Sequence, residues 1–182
     1  MSGSSIPGAI EVVVTPLNPG PQAVRASEAL LSVEERARAG RFVFEDDRRR
    51  YTVARAQLRR LLGERLGERP EAVGLTYGAH GKPALAPRHA GSGLRFNVSH
   101  CGDVAVHAFT RGREIGVDVE AVRALPDADQ IAARFFSPRE NQAYQALPSG
   151  DRAVGFFNCW TRKEAYIKAL GEGLAHPLQR DG

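Results

Sequence analysis

The sequence predicts an α+β fold in which antiparallel strands pack on helices. Three observations carry that prediction. Apolar residues recur at helical spacing from Asp46 to about Leu66, three short β-rich runs follow one another between Leu94 and Glu120, and further helical stretches come after these strands rather than between them. Strict alternation of strand and helix would instead have indicated a doubly wound parallel sheet.

Taken in order, Ile10–Val14 is a short β-branched run that reads as a buried strand, and the Pro/Gly-rich stretch Pro16–Pro21 after it reads as a loop. Ser27 or Ser32 can cap a following helix, since Glu34 and Glu35 stand in the first turn after Ser32. In the long helical stretch Tyr51, Ala54, Leu58, Leu61, Leu62 and Leu66 share an apolar side, while Arg48, Arg49, Arg55, Arg59 and Arg60 occupy other faces. Gly78–Pro87 is loop-like. Leu94–Val98 and Val104–Thr110 read as strands around a turn at Cys101-Gly102-Asp103, and a second turn at Arg111-Gly112-Arg113 leads into a third strand, Glu114–Glu120. The spacing then predicts helices over Asp127–Phe136, Pro138–Leu147 and Ala153–Leu170.

A chain of 182 residues with 42% hydrophobic and 25% charged residues has the composition of one compact globular unit. No run approaches the roughly 20 apolar residues that cross a bilayer, and the beginning lacks the basic and apolar regions of a signal peptide, so the expectation is a cytoplasmic protein without a membrane partner. The two cysteines, Cys101 and Cys159, form no CxxC pair and suggest packing residues rather than a disulfide framework or a zinc site. The net charge of +4 is unevenly spread, with arginines dense between Arg36 and Arg69, which favours phosphate-bearing or acidic partners.

Chemistry concentrates in three places. In a strand over Glu114–Glu120, Asp118 and Glu120 point to one side about 6.6 Å apart, while Val117 and Val119 point to a core with Ile115 beside them. Their repulsion, on the order of 2.5 kcal/mol at an effective dielectric of about 20, calls for water or a cation, and magnesium suits two hard carboxylates. An amphipathic edge strand with its acids in solvent would look the same. Trp160, Glu164 and Lys168 fall at i, i+4 and i+8 on one helical stripe with Lys163 beside them, the inventory of a phosphoryl-type transfer: a metal ligand, cations for developing charge and a candidate base. The bland alternative is a solvated Glu–Lys pair over a core tryptophan. The third place is Phe96-Asn97-Val98-Ser99-His100, where a strand ends in a hydroxyl and an imidazole able to hold a phosphate, or in an ordinary turn histidine.

Taken jointly, FNVSHCGD, GVDVE, RFFSPRE and WTRKEAYIKALGEGL resemble the 4′-phosphopantetheinyl transferase superfamily, in its double-length, surfactin-synthetase-activating type. The resemblance covers roughly residues 31–178. It implies two similar α/β lobes related by pseudo-twofold symmetry, the first over residues 1–112 and the second, carrying the metal and catalytic motifs, over 113–182. It also implies transfer of the phosphopantetheine arm of coenzyme A to a serine of an apo carrier protein (acyl, polyketide or peptidyl), with magnesium. Carried over by motif, Asp118, Glu120 and Glu164 are the expected magnesium ligands, and Glu164, directly or through a water, the expected base. Lys163 and Lys168 are expected at the pyrophosphate, Ser99 and His100 at the 3′-phosphate end, Lys82 near phosphate, and Arg50 on the adenine and phosphate side. Arg38 completes the set, with Arg41 as the alternative.

Relatives continue past the segment matching Leu174–Leu178 with strands that finish the second lobe, whereas this sequence stops at Gly182; the expectation is a truncated second lobe whose uncovered edges invite association or instability. Three rival readings remain. Single-length trimeric synthases carry their acid close to the amino terminus, which Asp118 does not match. A scaffold that binds coenzyme A or a carrier without turnover keeps the same motifs. A nucleic-acid binder would use the arginine-rich helix, but Glu45, Asp46, Asp47 and Glu64 interrupt it.

Overall fold

A computed structural model describes residues 9–78 and 81–171 of the chain. The Leu174–Leu178 segment and the end at Gly182 lie outside the described residues. The elements run β1 (Glu11–Pro16), α1 (Pro21–Glu28), α2 (Val33–Ala39), α3 (Glu45–Leu66), β2 (Leu75–Tyr77), β3 (Pro83–Leu85), β4 (Leu94–Cys101), β5 (Val104–Arg111), α4 (Ala128–Phe135), α5 (Pro138–Gln145) and α6 (Arg152–Leu170). Antiparallel sheets and helices together make the mixed architecture the sequence predicts. Among the described residues no helix is long and apolar enough to cross a membrane.

Local chemistry starts and stops the helices. Ser32 accepts from the Glu35 N–H while the Glu35 carboxylate accepts from the Ser32 N–H, closing a capping box on α2; Ser137 and Glu140 repeat it on α5. Gly67 and Gly171 end α3 and α6 in the left-handed conformation that only glycine adopts cheaply. Ser27, the other candidate cap, is instead buried near the end of α1, bonding back to the Ala23 carbonyl.

The main sheet has the order β1-β5-β4, all antiparallel, and presents Phe96 and Phe109 to α3, where they pack with Leu58, Leu61 and Leu62. A second buried cluster joins α4, α5 and α6 through Phe136, Tyr144, Phe156 and Phe157. Its rings meet edge-on or stacked at centroid separations of 5.3–6.1 Å, which fixes how α6 sits on the other two helices.

Several expectations are corrected. β1 is a strand but not a buried one: Val12 is 54% and Val14 63% exposed, because β1 lies at the edge of the sheet and only its other face meets α3. The third sheet strand is β1, not residues 114–120. Those residues run extended alongside β4 without a backbone ladder: the Val117 N–H donates to the Asn97 side chain (2.9 Å) and the Val119 N–H to the Ser99 hydroxyl (3.3 Å). Ile115 is buried as expected, but Val117 and Val119 are only half-buried. The supposed loop Gly78–Pro87 contains β3, which pairs with β2 across a turn where Gly81 takes φ +73°.

Arg59, placed by periodicity on a polar face, is 3% exposed. Its Nε donates to Glu35 (2.6 Å) and its Nη1 to the Val73 carbonyl (3.0 Å), so a buried charge is paired and its donors are used. Removing one member of such a pair strands the other. Glu35→Ala is expected to lower stability by about 3 kcal/mol, read as a shift of the urea midpoint at constant slope.

His107, at the centre of β5, is fully buried; among the described residues neither ring nitrogen finds a well-formed hydrogen bond, and the backbone of Ala54 and Val13 compensates only in part. Burial therefore pushes its pKa down. Because the folded value lies below the unfolded one, the stability present above about pH 6.5 is lost as pH falls through the folded pKa. Urea midpoints followed from pH 7.5 to 5 should fall more steeply for the wild type than for His107→Asn.

Candidate active site

The segment 115–120 and one stripe of α6 face each other across a hollow of about 410 Å³ lined by Val98, Ser99, His100, Asp118, Val119, Glu120, Trp160, Glu164 and Lys168. Strand-like alternation sends Asp118 and Glu120 to the same side even though no ladder forms, and the i, i+4, i+8 spacing brings Trp160, Glu164 and Lys168 to it. Trp160 also serves the core, lying flat on Phe156 (5.9 Å between centroids) and edge-on to Phe135 (5.7 Å). This tryptophan therefore packs in the core and also lines the hollow.

Close approach of the segment to the helix depends on Gly116. A Cβ there would overlap the Ala165 carbonyl oxygen and stand 2.5 Å from the Ala169 nitrogen, both backbone atoms of α6. Ser99 then organises the polar contacts: its hydroxyl donates to Asp118 Oδ1 (2.8 Å) and accepts from Lys168 Nζ (3.0 Å) and the Val119 N–H. Lys168 Nζ also lies 2.5 Å from Asp118 Oδ1. Asp118 is 5% exposed and its other oxygen, Oδ2, is buried without a hydrogen-bond partner among the described residues. An orphaned carboxylate oxygen of this kind costs about 1–3 kcal/mol unless something binds it.

Burial raises the pKa of Glu164, Lys168 pulls it back, and the charges of Asp118 and Glu120 push it up further; the net direction is upward. Glu120 has the Cys101 thiol 3.8 Å away. Among the described residues no three His, Cys, Asp or Glu side chains are gathered at ligating distance. The donor set nevertheless suits a hard divalent cation: three carboxylates around one hollow, one oxygen unpartnered.

A larger cavity of about 670 Å³ lies against the first, sharing Val98 and His100 as its border, and is lined further by Arg38, Phe42, Asp47, Arg50, Tyr51, Arg55 and Pro83. Thus His100, exposed at the end of β4, stands between the acidic hollow and a basic, aromatic one. Arg38 sits over the Tyr51 ring at 5.4 Å, and Arg55 is at 5.7 Å from the same ring. Arg50 donates to Asp103 (2.8 Å) and Asp47 (3.2 Å), and that guanidinium holds the Asp103 carboxyl below its ordinary range. Arg41 lines a neighbouring hollow with Arg38, Tyr51 and Tyr77.

Two predicted residues stand elsewhere. Lys163 Nζ meets Glu140 at 2.6 Å with its side chain 9% exposed, and lines neither cavity. Burial alone would raise Glu140, but Lys163 and the Ser137 N–H outweigh it and hold its pKa down. Lys82 Nζ donates to the carbonyls of Lys168 (2.5 Å) and Ala169 (3.4 Å), closing the carboxyl end of α6, and partial burial lowers its pKa. Conversely, Asn97 and Asp103 stand in the stretch FNVSHCGD but were given no role of their own. Asn97 lies two residues before Ser99, so strand alternation was the available signal; for Asp103, in a turn, periodicity offered none.

The arginine-rich helix is largely neutralised from within: Arg48, Arg49 and Arg50 pair with Glu45, Asp46 and Asp47 three residues earlier, and Arg65 pairs with Glu11. That leaves a poor footprint for a nucleic-acid backbone.

Comparison with known proteins identifies the family. The family described as 4′-phosphopantetheinyl transferase, N-terminal, matches residues 17–111, and the 4′-phosphopantetheinyl transferase superfamily matches 114–181. The chain is 46% identical to the 4′-phosphopantetheinyl transferase HetI of Nostoc over 81% of its length and 62% of that relative's. It is 38% identical to a putative 4′-phosphopantetheinyl transferase of Synechocystis over 91% of its length and 64% of the relative's, and 32% identical to a 4′-phosphopantetheinyl transferase of Bacillus subtilis over 82% and 64%. The chain thus spans under two thirds of the length of these relatives. With both matches falling on the stretches that build the two cavities, the chain belongs to the 4′-phosphopantetheinyl transferase superfamily.

Proposed function

We propose that this chain transfers the 4′-phosphopantetheine arm of coenzyme A to a serine of an apo carrier protein, releasing adenosine 3′,5′-bisphosphate, with magnesium. One observation carries the reading: an acidic hollow holding Asp118, Glu120, Glu164 and Lys168 adjoins a basic, aromatic cavity through His100. A molecule with an adenine, a 3′-phosphate and a pyrophosphate needs that sequence of surroundings. We place the chain in the double-length, surfactin-synthetase-activating type, with lobes over 1–112 and 113–182, a division supported by the separate buried clusters of the two stretches. We also take it to act in the cytoplasm.

Asp118, Glu120 and Glu164 would hold the magnesium ion, which when bound neutralises the pyrophosphate and draws electron density from the phosphorus under attack. Arg38, Arg50 and His100 hold the adenosine bisphosphate end, with Tyr51 offering its ring face. Ser99 fixes the orientation of Asp118. Glu164 takes the serine proton directly or through a water as the serine oxygen bonds to the pantetheine-side phosphorus. The bond from that phosphorus to the bridging oxygen breaks, and the electron pair leaves with adenosine 3′,5′-bisphosphate, its charge met by Lys168 and His100.

Incubation with coenzyme A, magnesium and a panel of apo carriers (acyl, polyketide and peptidyl) tests this by mass spectrometry. The expected result is a carrier heavier by one phosphopantetheine arm, with the gain abolished by EDTA. Coenzyme A binding with no carrier modified would contradict it and favour a non-catalytic scaffold.

A further inference from the structure

Each arginine or lysine on the borders of the two cavities is held by an acid or ring of the chain: Arg50 by Asp103 and Asp47, Arg38 and Arg55 by the Tyr51 ring, and Lys168 by Asp118. The lysine differs from the others because its partner is one of the carboxylates required for the divalent cation. Asp118 is 5% exposed, so water cannot neutralise it, and in this structure the ammonium group 2.5 Å away does so. Lys168 itself is 31% exposed, close to the carboxyl end of α6 and on a stem of four methylenes, so it can leave without disturbing the helix. Ser99, bonded to both, keeps its own donation to Asp118 when the lysine goes.

We propose that Lys168 is the resident counter-ion of Asp118, that a divalent cation competes with it, and that coenzyme A relieves the competition by drawing the lysine onto its pyrophosphate. This rests on the magnesium and coenzyme A reading above. A cation arriving alone finds Asp118 already neutralised and a like charge beside it. A cation arriving with the pyrophosphate finds the ammonium group transferred to the new anion and Asp118 free. Cation and coenzyme therefore bind synergistically, and by linkage each tightens the other by the same factor.

The test measures Mn²⁺ binding by the electron paramagnetic resonance signal of the free ion, with and without coenzyme A, in wild type, Lys168→Met and Lys168→Arg. Without coenzyme A, Lys168→Met should bind Mn²⁺ at least about tenfold more tightly than wild type, the effect of removing one close like charge. Lys168→Arg should stay near wild type. Coenzyme A should tighten Mn²⁺ markedly in wild type and much less in Lys168→Met. Equal or weaker Mn²⁺ binding by a cooperatively melting Lys168→Met, with wild-type coupling intact, overturns the lysine's role and leaves the site reading standing. Wild type that shows no coupling to coenzyme A overturns both. Should Lys168→Met fail to fold, Lys168→Gln takes its place: Mn²⁺ binding at least about tenfold tighter than wild type without coenzyme A supports the proposal, and equal or weaker binding overturns it.

Discussion

Asp118→Asn is expected to lower kcat/KM for carrier modification by about 10²- to 10³-fold while leaving the urea midpoint nearly unchanged. The catalytic loss follows from removing the negative charge of the carboxylate that has one oxygen orphaned in the hollow and the other bonded to Ser99 and Lys168. Deleting one electrostatic element of a transfer site costs about 3–4 kcal/mol of barrier, which converts to that factor. The fold survives because the amide keeps the Ser99 hydrogen bond and the released Lys168 reaches solvent. Glu164→Gln should cost about 10²- to 10⁴-fold through loss of the proton acceptor. Steady-state kinetics with one apo carrier, alongside denaturant melts, checks both. Activity of either variant within tenfold of wild type would remove that carboxylate from the mechanism.

Gly116→Ala should damage stability and transfer together. The added methyl overlaps the Ala165 carbonyl oxygen and crowds the Ala169 nitrogen, and neither can rotate aside because both belong to the backbone of α6. Segment 115–120 must then retreat from the helix, carrying Asp118 away from Lys168 and Glu120 away from Glu164. The expected loss is about 4 kcal/mol or more of stability, with transfer falling at least as far as in Asp118→Asn. Gly150→Ala is the control, since a Cβ there meets nothing within 4 Å; it should change stability by less than about 0.5 kcal/mol. If Gly116→Ala melted like wild type, the close packing of segment 115–120 on α6 would be refuted.

Much of the site could be read directly from spacing. Period-two alternation placed Asp118 with Glu120, and period 3.6 placed Trp160, Glu164 and Lys168 on one stripe, because both rules depend only on local backbone geometry. The same rule explains Lys163: one position from Glu164 is a rotation of about 100°, enough to point it at Glu140 instead of the hollow. Long-range partners were beyond such rules. The burial of Arg59 depends on Glu35, 24 residues earlier, and the holding of Arg50 on Asp103, 53 residues later. The third strand failed for a related reason: alternating apolar residues at 115–119 promised a ladder, but side chains of Asn97 and Ser99 satisfy the N–H groups. β1 was found but its burial misjudged, since a β-branched run looks alike at the centre and at the edge of a sheet. The coenzyme and the carrier came only from the resemblance of four motifs; geometry by itself asks for a cation, a phosphate and a base.

The most direct test of the central claim counts both products of one reaction. Wild-type chain, coenzyme A, magnesium and an apo carrier are combined, and released adenosine 3′,5′-bisphosphate is quantified against carrier mass. The account predicts equal molar amounts of bisphosphate and phosphopantetheinylated carrier, with both formed at least about a hundredfold more slowly by Asp118→Asn. Wild type that accumulates neither product, or Asp118→Asn that forms both at the wild-type rate, would contradict it.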